Sequence, residues 1–182
     1  MNDAVETIKY KNHKIEIFYD EDGCSPREND NMCIFHIAHK HYAFGDKNYN
    51  SFESIQEAQK EAERIGDICL PLYMYDHSGI TISLSPFSCP WDSGQVGFVQ
   101  VQKKEILSNF GKKIFTKKLK EKALKVAKSE VEEMDSYVRG EVYGYVIDEE
   151  DSCWGFVGDI KYCIEEAKSI VDYMVKNEVV TQ

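Results

Sequence analysis

"ICLPLYMYDHSGITISLSPFSCPWDSGQVGFVQV", residues 68–101, decides the fold class. It holds three runs rich in β-branched and aromatic residues, Ile68–Tyr75, Gly79–Ser85 and Gln95–Val101, with no helical period between them. The first two are joined around Asp76-His77-Ser78-Gly79, an Asx-type turn signature. Strands that follow one another without an intervening helix pair antiparallel. The second connection, within "SPFSCPWDSGQVGF" (residues 85–98), exceeds the about two to five residues of a hairpin turn. Its composition predicts an ordered corner rather than a catalytic loop. Pro86 and Pro90 restrict φ, Phe87 and Trp91 supply apolar area, and Asp92 satisfies local backbone N–H groups. Gly94 and Gly97 allow close backbone approach, and Cys89 lacks a base that the sequence can place beside it.

Working outward, "ETIKY" and "KIEIFYD" read as a hairpin split by Lys11-Asn12-His13-Lys14, and "MCIFHIAH" as the next strand. "NSFESIQEAQKEAERIG" predicts a helix capped by Asn50 or Ser51, with Phe52, Ile55, Ala58, Ala62 and Ile65 inward and Gly66 as the stop. A longer helix is expected from about Thr116 to Val138, with Leu119, Ala123, Val126, Ala127, Val131, Met134 and Val138 inward. "EVYGYVID" and "SCWGFVG" form a late hairpin across Asp148–Asp151. Asp159 then caps a last helix that buries Ile160, Ile164, Ala167, Val171 and Met174. The predicted class is α+β: an antiparallel sheet packed by about three helices on one face, with a protruding N-terminal β-hairpin. A single domain over 1–182 is expected, with the hairpin at 1–20 and the core at 30–176.

The chain has 182 residues and a formal net charge of −10. Between Lys103 and Lys128 there are ten lysines against two acids, Glu105 and Glu121, a local balance of +8 that leaves −18 for the remainder. Lys112, Lys113, Lys117, Lys118, Lys120 and Lys122 form the densest part of this band, a candidate basic face. No apolar run spans a bilayer, and "MNDAVETIKY" lacks the basic and apolar regions of a secretory leader, so a cytoplasmic monomer without membrane contact is expected. Six scattered cysteines read as free thiols. Of His36, His39 and His41, only the last two would share a strand face. No metal site is therefore predicted, and no cofactor motif is present.

"YDHSGITISLSPFSCPWDSGQVGF", with "HKHYAFGD", "SYVRGEVYGYVID" and "DSCWGFVG", resembles a family carried by bacterial phages and other mobile elements. The family includes anti-CRISPR proteins that disable type II-A Cas9, one mode of action being attack on the guide RNA. The resemblance runs from about His36 to Gly158 and implies Cas9 and its guide RNA as partners. The N-terminal hairpin lies outside the shared blocks, and variable parts are where a particular activity sits on a common scaffold. There Lys9, Lys11 and Lys14 can grip phosphates, Tyr10 or His13 can stack on unpaired bases, Asn12 completes the RNA-binding set, and His13 at the turn tip is also a candidate general base towards a 2′-OH. The reading is an inhibitor that induces truncation of the guide in the Cas9–RNA complex. The alternative is an acidic nucleic-acid mimic that blocks Cas9 or another defence protein by binding alone.

Overall fold

The structure, a computed structural model, describes residues 3–180. Among the described residues nine strands lie in two sheets, accompanied by four α-helices, so the α+β class holds. The sheet is not single, however, and the N-terminal hairpin does not protrude. The chain divides into two compact units, 1–25 with 136–182 and 26–135.

In the first unit β1 (Glu6–Tyr10) and β2 (His13–Tyr19) form the expected hairpin. Its turn is only Lys11-Asn12, at φ of 47° and 70°, the left-handed pair of a type I′ turn. β2 also pairs antiparallel with β8 (Val142–Ile147), which pairs with β9 (Asp151–Val157), giving the order β1-β2-β8-β9. Periodicity shows that a segment is a strand but not which strand lies beside it, so the hairpin read alone looks detached. Ile15 and Ile17 alternate inward with Tyr143, Tyr145 and Ile147. The long C-terminal helix, α4 (Ile160–Val180), covers that face with Cys163, Ile164, Ala167 and Val171. Asp159 caps it, accepting from the Lys161 N–H at 3.0 Å.

The second unit carries the order β4-β3-β7-β5-β6. These are β3 (Cys33–Ile37), β4 (Lys47–Asn48), β5 (Ile68–Asp76), β6 (Ile80–Ser83) and β7 (Ser93–Val101). Only the short β3–β4 pairing is parallel. Helix α1 (Phe52–Arg64), capped by Ser51, packs Ile55 and Ala62 over Phe98. Phe52 and Ile65, expected inward, are 40% and 55% exposed, because both lie at the ends of the apolar stripe, past the edge of the sheet contact. A short helix that the sequence reading did not separate, α2 (Lys103–Asn109), precedes α3 (Lys117–Val138). In α3, Leu119, Ala123, Ala127, Val131 and Met134 are buried as predicted, while Val126 and Val138 are half-buried.

Arg27, its side chain 8% exposed, organises this unit. Its guanidinium reaches Asp46 at 2.9 Å, Glu130 of α3 at 3.1 Å and the Cys33 carbonyl at 2.5 Å, and lies 4.2 Å from the centre of the Phe35 ring. Glu130 also accepts from the Met32 and Cys33 N–H groups, and Asp46 from that of Phe35. His36 is buried between the Tyr49 hydroxyl at 2.8 Å and Gln100 Oε1 at 2.9 Å. Burial holds its pKa below the ordinary value.

Arg27→Ala should destabilise the protein by about 3–5 kcal/mol in denaturant melts, because it leaves two part-buried carboxylates uncompensated. A loss under about 1 kcal/mol would mean the network is solvated. Because burial lowers the His36 pKa in the folded protein, the unfolded chain takes up its proton first as pH falls. Its contribution to stability is complete above about pH 6.5 and declines below it. His36→Phe should therefore flatten the slope of unfolding free energy between about pH 6.5 and 5, whatever its effect on stability at neutral pH.

Candidate functional site

Three surfaces stand out: the hairpin tip, the corner before β7, and the lysine band. At the tip, His13 is not in the turn but is the first residue of β2, paired with Tyr10. Its Nδ1 lies 2.6 Å from Asp148 Oδ2, and Asp148 Oδ1 accepts the Lys14 N–H at 2.7 Å. The Lys14 N–H first, and His13 second, hold the Asp148 carboxyl below its ordinary pKa. Asp148 enters from the β8–β9 turn at a φ of 51°, 135 residues from His13. The arrangement is that of a base oriented by a carboxylate, with Nε2 the ring nitrogen left for proton transfer. Sequence reasoning missed Asp148 because nothing local marks a partner so far along the chain.

Two other carboxylates, Asp172 and Glu16, weaken the tip as a phosphate grip. Lys11 lies 2.8 Å from Asp172 of α4, and Lys14 lies 2.8 Å from Glu16. Lys9 has no carboxylate at ion-pair distance among the described residues, and Tyr10 is turned towards the α4 side, where it joins the core. Asn12 is exposed. Only one of the three predicted lysine contacts is therefore electrostatically open.

The corner is ordered, but not by burial of its tryptophan. Trp91 is 92% exposed. The loop closes through polar bonds: Ser93 Oγ donates to the Cys89 carbonyl, Cys89 Sγ to Asp92 Oδ2 at 3.6 Å, and the Asp76 N–H to the Asp92 carbonyl at 2.8 Å. Phe87 leans on Tyr75 with centroids 5.8 Å apart, while Pro86 and Pro90 remain exposed. Gly97 is needed for close approach, since a Cβ there would sit 1.8 Å from the His36 carbonyl oxygen, but Gly94 has open space. Polar closure lets the apolar side chain point outward, which composition alone could not reveal. Cys89 contacts the Asp92 carboxylate, whose Oδ2 His77 Nδ1 also approaches at 3.5 Å. Burial pushes Cys69 and Cys163 up to about 12, so neither offers a thiolate at neutral pH. No disulfide forms among the six cysteines, and no metal-holding group of His, Cys, Asp or Glu occurs among the described residues.

The lysine band is the most open of the three. Lys112, Lys113, Lys117, Lys118, Lys120 and Lys122 are exposed, and none has a carboxylate at ion-pair distance among the described residues. Lys118, Lys122 and Lys125 recur at i, i+4 and i+7, opposite the buried ridge of α3, with about 6 Å of rise between the first two. Four of the five acids of α3, Glu130, Glu132, Glu133 and Asp135, lie in its second half, leaving Glu121 alone in the first. Lysines crowd the first turn, where the helix dipole disfavours them by about 0.3–1 kcal/mol each. A helix charged against its own dipole has been shaped by something other than helix stability. Together the lysines and the helix N-terminus make a positive surface suited to polyanions.

No protein-family model, curated protein or solved structure matches this chain. No helix among the described residues is long and apolar enough to cross a membrane.

Since Trp91 buries almost nothing, Trp91→Ala should change the unfolding free energy by less than about 0.5 kcal/mol. A loss of several kcal/mol in a denaturant melt would restore the buried-corner reading.

Proposed function

We propose that this chain engages RNA phosphates through the lysine face of α2 and α3. Following the family resemblance, the RNA is the guide of a type II-A Cas9, and the outcome is its truncation within the Cas9–RNA complex. The observation that carries the reading is the run of exposed lysines without carboxylate partners at the start of α3. Lys117, Lys118, Lys120, Lys122 and Lys125 have only Glu121 among them, whereas Lys128 pairs with Glu132 further along. His13, oriented by Asp148, is the proton acceptor in this reading.

The test has two arms. Guide RNA is incubated with the protein in the presence and absence of Cas9, and its length is followed. Shortening only with Cas9 is expected, with Cas9 presenting the RNA to His13. His13→Ala should slow shortening by about 10²–10⁴-fold while leaving binding intact. The triple change of Lys117, Lys118 and Lys120 to glutamate should weaken RNA binding and reduce the slope of log affinity against log salt by about 2. It should also leave melting unchanged or raise it, because acids suit the first turn. Inhibition of Cas9 with a full-length guide would favour the acidic-mimic reading, which the −18 carried outside the lysine band supports. Unchanged RNA affinity in the triple variant would discard the lysine face.

A further inference from the structure

The outer face of the β1-β2-β8-β9 sheet, opposite α4, holds an aromatic surface that the lysine-face reading does not use. β9 bulges against β8: Tyr143 pairs with Phe156 and Tyr145 with Cys153, so Trp154 and Gly155 together oppose Gly144. Gly155 takes a φ of 87°, which favours glycine, and bulges of this kind re-aim the neighbouring side chain. Here the Trp154 ring is laid over Gly144, where a Cβ would come within 2.1 Å of it. Phe18, paired with Gly144 from the other side, lies 6.2 Å from Trp154 between ring centroids. One face of the indole is thus held on backbone, and the residue stays 48% exposed. A tryptophan seated by a bulge and a glycine is a rigid platform rather than a loose surface side chain.

Charge identifies what the platform takes. The unit that carries it, 1–25 with 136–182, holds sixteen acids against seven bases, a balance of −9. Glu16 lies two residues before Phe18 on β2 and shares its face of the sheet, where it also pairs with Lys14 at 2.8 Å, and Asp20 directly follows the strand, its N–H donating to the Val142 carbonyl. The segment beyond Asp20 folds back over Val142, as the close approach of Gly23 to that side chain shows, and it adds Glu21 and Asp22. An RNA strand would be repelled by these carboxylates. A guanidinium is attracted to them and stacks flat on indole, which the compact ammonium of lysine does less well. We propose that this face docks an arginine-bearing basic segment of a protein partner, with a guanidinium on Trp154 between the carboxylates of Glu16 and Asp20.

The chain has two tryptophans, so Trp91→Phe leaves Trp154 as the reporter. Titrating that protein with oligoarginine should change Trp154 emission saturably, and oligolysine of the same length should do so only weakly. Trp154→Ala should weaken oligoarginine binding by roughly 2- to 30-fold, with Trp154→Phe intermediate. Asp20→Asn should weaken it further at low salt. Because the reporter protein retains Trp154, the emission arm does not depend on how the Trp154 variants fold. Equal binding of both peptides, with no effect of Trp154→Ala, would reduce the site to general charge attraction and overturn the proposal. Emission changes driven by oligouridylate instead would also overturn it, making the face a base platform. The triple glutamate variant of the lysine band should bind oligoarginine undiminished, so failure of the RNA reading and failure of this one are separable.

Discussion

The second unit depends on the satisfaction of Arg27. Its guanidinium is nearly enclosed, and a buried cation persists only where its charge and donors are met. Asp46, Glu130 and the Cys33 carbonyl meet them, and the two carboxylates also take the backbone N–H groups of Met32, Cys33 and Phe35. The start of β3, the segment leading into β4 and the middle of α3 are held in one register by this cluster. Asp135, accepting from Thr81 and the Ile82 N–H, ties the same helix to β6. The first half of α3 is left with one acid, Glu121, against its five lysines.

The first unit rests on a different constraint, the pairing of β2 with β8 across most of the chain length. That pairing brings the Lys11-Asn12 turn beside the Asp148-Glu149 turn, and both need left-handed backbone without glycine. It also sets His13 against Asp148 and Lys11 against Asp172, so a segment that is basic in sequence becomes balanced in space. Glycine is used in this unit for proximity as well as for torsion. Gly144 has no side chain, and that absence lets Trp154 lie on the strand.

The functional reading follows the separation of charge. The unit with the aromatic platform carries −9, and the lysine band carries +8 within the other unit. The two proposals rest on these opposite charges, one for a polyanion and one for a basic polypeptide.

Much was legible in the sequence because it is a local property of the chain. The α+β class, the ridges of α3 and α4, the caps at Ser51 and Asp159 and the free cysteines all follow from period, capping chemistry and composition. The lysine band was equally visible, since charge is counted without knowing the fold. Tertiary structure alone decided the rest. Whether Trp91 is buried depended on polar closure of its loop. Whether the hairpin lysines are free depended on carboxylates arriving from α4 and β2. The division into two sheets depended on which strands meet, and a strand's side-chain period says which face is apolar without naming its neighbour. Contacts between residues more than a hundred positions apart leave no periodic trace, so His13 could be chosen from sequence while Asp148 could not.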